Sequence, residues 1–381
     1  MPNIPLFDLN FDEMEEQAVL DVLRSKWISS GPKCAELEKN FSTMLGARHA
    51  LALSNCTAAL HLAVLVCGIG PGDEVIVPSL TFVATANCVR YAGATPVMCD
   101  IESLDRPVID AQKIEGLITE RTKAIIPMHY AGFPCNMDAI IRVAEKHDLK
   151  IIEDACHGPL SEYHGRKLGT FGSIGCFSFF SNKNISTGEG GIVVTDDERL
   201  YEKMKLMRSH GMTSISYDRA KGHSTGYDVI DLGYNYRMDD IRASIGIAQL
   251  TKLKGDIERR QMVREYYLRH LCDCNEVIIP FADWNEISSS YIFPLVLRNG
   301  GRERRDALRK YLSEKGIQTS VHYPPVHRFK IYEDFARKEL PLTETYSDSE
   351  FTLPMYGKLT AEDVAYISSC VKDFLMAIKQ S

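Results

Sequence analysis

From about residue 48 to residue 200 the chain alternates short β-rich runs with helical stretches, and this alternation constrains the fold more than any other feature. The strand-like runs are Ala50–Leu53, Glu74–Val77, Pro96–Asp100, Lys123–Pro127, Lys150–Asp154, Gly175–Phe179 and Gly191–Thr195. Between most of them lie apolar or amphipathic stretches of helical character: Thr57–Cys67, Phe82–Tyr91, Ala111–Ile118 and Met137–His147. Repeated βαβ units predict an α/β fold built on a mainly parallel, doubly wound sheet. Such sheets bind ligands beyond the carboxyl ends of their strands. The residues that follow each strand are therefore the first candidates for chemistry.

A second, smaller unit is expected toward the C-terminus. A long helical stretch, about Asp239 to His270, leads to an alternating strand near Ser290–Leu297 and a basic helix Glu303–Lys315 stopped by Gly316. A final helix from Thr360 places Val364, Ile367, Val371, Phe374 and Ile378 on one face. The expected division is a large domain over residues 1–255, including an N-terminal arm, and a small α/β domain over 256–381. With 381 residues, 45% of them apolar, there is chain enough for both cores.

The net charge of -7, from 44 basic and 51 acidic residues, argues against a sequence-independent grip on nucleic acid or on an anionic membrane. Met1–Glu16 lacks the basic-then-apolar pattern of a signal peptide, and the apolar run Ala58–Cys67 is too short to span a bilayer. A cytoplasmic protein is expected. The 11 cysteines, an odd number without CxxC pairs, read as reduced and buried.

Three segments could carry chemistry, and each also has an ordinary structural explanation. In Phe177-Ser-Phe-Phe-Ser-Asn-Lys183 the lysine follows a buried strand and precedes the glycine-rich Thr187-Gly-Glu-Gly-Gly191. Burial and a nearby cationic ring would lower its pKa, and a neutral amine forms a Schiff base with an aldehyde. The ordinary alternative is a solvated loop lysine. In Lys150-Ile-Ile-Glu-Asp154-Ala-Cys-His157 the strand-end carboxylate could pair with a protonated pyridine nitrogen, or simply cap a helix. His157 has too few potential ligands around it for a metal site, and none is expected. In Leu53-Ser-Asn-Cys-Thr57-Ala the small polar residues between strand and helix could form a phosphate cradle, although ordinary N-capping by Asn55 or Thr57 explains them and is favoured for this segment alone. Lysine, carboxylate and anion cradle at one sheet rim are together what pyridoxal 5'-phosphate requires.

With these segments the chain resembles the DegT/DnrJ/EryC1/StrS family of sugar aminotransferases over nearly its whole length. The matching motifs are Trp27-Ile-Ser-Ser-Gly-Pro32, Pro78–Asn87, Glu153-Asp-Ala, the Lys183 segment through Gly191, Leu232-Gly-Tyr-Asn-Tyr-Arg237 and His322-Tyr-Pro-Pro-Val-His327. The resemblance implies an aspartate-aminotransferase-like fold (PLP fold type I), with the large domain binding pyridoxal phosphate. It implies that Lys183 forms the Schiff base and shuttles protons, that Asp154 pairs with the pyridinium nitrogen and that Phe82 stacks on the ring. Thr57, the Ala58 amide and Ser178 would hold the phosphate, and Asn235 would reach the phosphate of a partner subunit in a homodimer or higher homo-oligomer. Glu189, His322, Tyr323 and His327 are the substrate-side candidates. Cys56 stands where the family often has Gly, and His157 where many members have Gln facing the cofactor's phenolic oxygen.

The implied substrates are a nucleoside-diphosphate-linked keto sugar and an amino-acid donor, L-glutamate, with a lean toward carbon 4 from His157. The basic helix Arg302–Lys310 and the segment Tyr217–His223 could meet a diphosphate, although a charge run is more often a solvated face. Two alternatives stand beside this reading. One is a sugar dehydratase of the same fold, which carries His in place of the lysine and is opposed by Lys183. The other is a regulatory protein that binds without turnover.

Overall fold

The computed structural model describes residues 3–213, 226–335 and 338–379. All the strand-like runs form strands: β1 (His49–Leu53), β2 (Glu74–Pro78), β3 (Thr95–Cys99), β4 (Thr122–Ile125) and β5 (Lys150–Asp154). A small hairpin follows, β6 (Glu162–Tyr163) with β7 (Arg166–Lys167), and then β8 (Ile174–Ser178) and β9 (Gly191–Thr195). The main sheet has the order β1-β9-β8-β5-β4-β2-β3. Strands β8, β5, β4, β2 and β3 are parallel to one another, and β9 alone runs against both of its neighbours, β1 and β8. Leu53 of β1 and Ser178 of β8 both face Gly191, where β9 begins. One rim of the sheet therefore gathers six strand ends and the start of the seventh.

The strands read as continuous apolar runs because helices cover both faces of the sheet. Every residue of β2 and β9 is buried. The helix Cys56–Val66 buries Leu60, Leu62 and Val64 against the sheet. Truncating one such leucine to alanine costs about 2–5 kcal/mol. The 11 cysteines are free and mostly buried. No helix among the described residues is long and apolar enough to cross a membrane.

Two N-terminal helices, Glu13–Ser25 and Pro32–Leu45, were not anticipated. The first has a legible start, since Asp12 accepts from the Met14 amide and Glu15 reaches back to the Asp12 amide. The second depends on a distant residue. Its first-turn amides, from Gly31, Lys33 and Cys34, all donate to the Asp240 carboxylate. The Trp27–Pro32 motif is thereby fastened to the helix Asp240–Leu271.

That helix has 32 residues, roughly 48 Å at 1.5 Å per residue. Its early part buries Ala243, Leu253 and Ile257 with Leu37 and Phe41, while Val263, Tyr267 and Leu271 enter a separate core. The separate core belongs to a three-stranded antiparallel sheet of β10 (Val277–Ile278), β11 (Phe293–Leu297) and β12 (Glu350–Leu353). The helices Arg302–Glu314 and Ala361–Lys379 pack with it, the latter through Val364, Ile367, Val371 and Phe374. The side chain of Ile378 lies outside the described residues.

Strand β11 lies where an alternating strand was expected, and all its residues are buried. Phe293, Leu295 and Leu297 face the core of the small sheet, whereas Val296 packs in the core of the large one. The alternation is real, but it separates two cores. The small sheet is pressed against the large unit, and this brings residues near β11 and β12 to the rim of the main sheet.

Candidate active site

Beyond the carboxyl rim lies a cavity of about 690 Å³. Its near wall consists of Asn55–Ala58 after β1, Phe82 after β2, Asp154 and Cys156 at and after β5, and Ser178, Asn182, Lys183 and Glu189 between β8 and β9. Its far wall consists of Tyr291, His322 and Tyr323. Of the residues expected at a site, Lys183, Asp154, Thr57, Ala58, Phe82, Ser178, Glu189, His322 and Tyr323 share this one cavity.

Asp154 is buried, and Thr85 Oγ1 donates to its Oδ2 at 2.7 Å while the Cys156 amide donates to Oδ1 at 3.3 Å. Two donors on a strand-end carboxylate fix its orientation. The turn after β1 is held close by Gly191, where a Cβ would sit 2.5 Å from the Asn55 carbonyl carbon and 2.6 Å from the Cys56 nitrogen. Only glycine permits that approach. The Ala58 amide, expected to face a phosphate, instead donates to its own N-cap, Asn55 Oδ1, at 2.8 Å. The Cys56 and Thr57 amides, which precede any intrahelical acceptor, remain as the donors at the cavity end.

Lys183 departs from expectation. Its Nζ lies 4.1 Å from the centroid of the Tyr291 ring. Burial pulls the ammonium down, but Tyr291, Cys156 and Asp154 more than offset it and hold the pKa above the ordinary lysine value. The sequence reading weighed burial and a cationic ring, and did not include these three electron-rich neighbours.

His157 is buried behind the far wall rather than in it. Its Nδ1 accepts from the Ala131 amide at 3.3 Å, so the neutral ring carries its proton on Nε2, 2.9 Å from the Tyr323 hydroxyl. Burial, with Lys183 and His322 nearby, keeps this ring well below the usual histidine range. His327 is also outside the cavity wall, bound between Ser79 Oγ at 2.6 Å and Glu344 at 3.0 Å. Asn235 is exposed, and its backbone pairs with Ser209 in an antiparallel bridge. Among the cations of the basic helix, Arg302 pairs with Asp348, Arg304 with Glu276 and Arg305 with Asp306, and none lines the cavity. Tyr217–His223 lies outside the described residues.

The sequence reading missed Tyr291, Tyr236, His61 and Asn182 as cavity residues. Tyr236 stood inside the Leu232–Arg237 motif, and His61 was visible as a polar break in an apolar helix. No local signal marked Tyr291.

These residues fit pyridoxal phosphate. They offer an amine, a fixed carboxylate, the half-exposed face of Phe82, and hydroxyls of Thr57 and Ser178 beside a helix N-terminus. Asn182 Oδ1 and His61 Nε2 are buried in the same wall without a hydrogen-bond partner among the described residues, as polar atoms meant for a ligand would be.

Fold and site together define an aminotransferase of the aspartate-aminotransferase-like, pyridoxal-phosphate type. The chain belongs to the DegT/DnrJ/EryC1/StrS aminotransferase family, whose model matches residues 10–372. It is 38% identical over 367 residues to the spore coat polysaccharide biosynthesis protein SpsC of Bacillus subtilis, covering 95% of this chain and 94% of that one. Helicobacter pylori PseC, an aminotransferase involved in the biosynthesis of pseudoaminic acid, superposes with a TM-score of 0.92 at 31% identity, over 99% of this chain and 100% of its own. The PLP form of Spr1654 from Streptococcus pneumoniae gives a TM-score of 0.92 at 32% identity, over 99% and 100% of the two chains.

Proposed function

We propose that this enzyme transfers the amino group of L-glutamate to a keto sugar carried on a nucleoside diphosphate, with pyridoxal 5'-phosphate held by Lys183 and Asp154. The observation that carries this reading is the meeting of a lysine amine and a doubly hydrogen-bonded carboxylate in one cavity at the sheet rim. Similarity to SpsC and PseC supports a sugar acceptor destined for a polysaccharide or an amino sugar.

Bound pyridoxal phosphate supplies an electron sink that makes a proton on the carbon bearing nitrogen removable. Asp154 would hold the pyridine nitrogen in its protonated form, and Phe82 would cover one face of the ring. Thr57, Ser178 and the amides at the start of the helix Cys56–Val66 would take the phosphate. Lys183 Nζ, once neutral, takes the proton from the donor's carbon and later returns it to the sugar. Glu189, His322 and Tyr323 meet the sugar from the cavity mouth and the far wall.

In this reading the working unit is at least a homodimer, with Asn235 reaching the phosphate in the partner's cavity. Its exposure, beside the exposed apolar residues Val229, Ile230 and Leu232, supports that role. The free, buried cysteines fit the reducing cytoplasm.

The test is a panel of UDP-, dTDP- and GDP-linked keto sugars incubated with the holoenzyme and L-glutamate, read by mass spectrometry. One panel member should be converted to its amino sugar, while the enzyme's visible absorption band fades on addition of glutamate alone. A band unmoved by any amino acid would refute amino transfer. A band that fades with no sugar aminated would refute the acceptor class.

A further inference from the structure

Behind the far wall lies a buried carboxyl group that the proposed chemistry does not use. Glu350 opens β12 and is fully buried, as is Thr352 two residues on. Glu350 Oε1 lies 2.6 Å from Thr352 Oγ1, and Thr352 Oγ1 lies 2.8 Å from His322 Nδ1. Glu350 Oε2 accepts from the His322 amide at 2.9 Å. The Tyr130 hydroxyl donates to the His322 carbonyl, so the backbone of His322 is fixed on both sides. Its ring lines the cavity, with Nδ1 committed to Thr352 and Nε2 left for whatever occupies the cavity.

We propose that Glu350, acting through the Thr352 hydroxyl, is a positioning residue that sets which nitrogen of the His322 ring carries the proton, and so whether Nε2 offers the cavity a donor or an acceptor. The hydroxyl has a single proton, and it can point only one way along the relay. When Glu350 is protonated it donates to Thr352 Oγ1, the hydroxyl donates to Nδ1, and Nε2 keeps its hydrogen. When Glu350 is ionised the hydroxyl turns to the carboxylate, Nδ1 carries a hydrogen toward Oγ1, and Nε2 is bare. Passing from the first state to the second releases one proton. The Glu350 proton moves to Thr352, the hydroxyl proton moves to Nδ1, and the Nε2 proton leaves through the cavity. The ring is neutral in both states.

The surroundings allow both states within a biological range. Burial pushes Glu350 up to about 8, against the hydrogen bonds from Thr352 and His322 and the more distant Arg305 and Arg309. Tyr130, Tyr346 and Tyr323 also face it, all three held well above the usual tyrosine range by burial, so they stay neutral. Burial and Lys183 pull His322 down to about 3, so the ring never becomes a cation in this window. At neutral pH the relay presents Nε2–H to the cavity, a donor suited to a carbonyl or phosphate oxygen.

The inference rests on the cavity wall alone and holds whichever sugar is aminated. Its test is the tautomer of His322 in the holoenzyme labelled with 15N-histidine, its signals assigned by their loss in His322→Gln and followed from about pH 6.5 to about pH 9.5. In the wild type the protonated and bare nitrogens should exchange places near pH 8. In Glu350→Gln the His322 amide, which donates to Oε2, keeps the side-chain oxygen on its own side and turns the NH2 toward Thr352, so the Nε2–H form should persist throughout. Thr352→Val, which removes the hydroxyl, should abolish the pH-linked exchange and decides the matter if the glutamine variant fails to fold. A wild-type ring that keeps one tautomer across the range would overturn the proposal. So would an exchange that survives in either variant.

Discussion

The two walls of the cavity are built in different ways. The near wall grows from strand ends: Asp154, Ser178 and the turn Asn55–Ala58 lie within a few residues of β5, β8 and β1. Backbone ladders fix those positions, and the helix N-terminus supplies charge without a charged side chain. The far-wall residues His322 and Tyr323 lie outside the named strands, and a backbone bridge between Ser320 and Thr352 ties their segment to β12. Tyr323 rests on His157, and His322 on Thr352 and Glu350, through side-chain hydrogen bonds. Rigid backbone thus carries the groups that must hold a cofactor, and adjustable polar relays carry those that meet the substrate. Chemistry is expected to fail with the near wall, and selectivity with the far one.

Lys183→Ala should produce the largest effect, a loss of at least about 10³-fold in amino transfer with thermal stability little changed. Asp154→Asn should come next, at about 10²–10³-fold in single-turnover rate with cofactor retained, because an amide does not stabilise a protonated ring. Tyr323→Phe removes one hydrogen bond of about 0.5–1.5 kcal/mol and should raise KM for the sugar about 2–10-fold, leaving kcat nearly intact. If Tyr323→Phe instead lowers kcat as far as Asp154→Asn, the contrast between the walls collapses.

A separate prediction concerns stability rather than turnover. Glu350 has a pKa raised from 4.5 to about 8 in the folded chain, so folding favours its protonated form. Stability from this group is full below about pH 4.5 and falls until pH passes about 8, where the carboxylate is ionised in both states. Denaturation midpoints of wild type and Glu350→Gln should therefore differ in the variant's favour at pH 9, and converge as pH falls. A gap that does not change with pH would show that Glu350 is not protonated by its burial.

The near wall was also the legible one. Every main-sheet strand was visible as an apolar run, and Lys183 and Asp154 stood out because the strand ends limited where to look. The far wall was legible only through the His322–His327 motif, and there imperfectly: Tyr323 faces the cavity, but His327 is spent on Ser79 and Glu344. Tyr291 reaches the rim, with Thr352 and Glu350 behind the wall, because β11 is pressed between two cores, a contact between segments far apart in sequence. The direction of the Lys183 shift was misread for the same reason, since Tyr291 sits more than a hundred residues away. Local pattern fixes elements and their ends, and it carries no record of which distant side chain closes over them.

The most direct test of the central claim is reduction of the holoenzyme with borohydride, followed by peptide mapping. Pyridoxyl mass should appear on the peptide carrying Lys183, and Lys183→Ala should take up none. A pyridoxyl group on another lysine, or a Lys183 that stays unmodified while the holoenzyme loses its colour, would contradict the assignment of this cavity as the cofactor's seat.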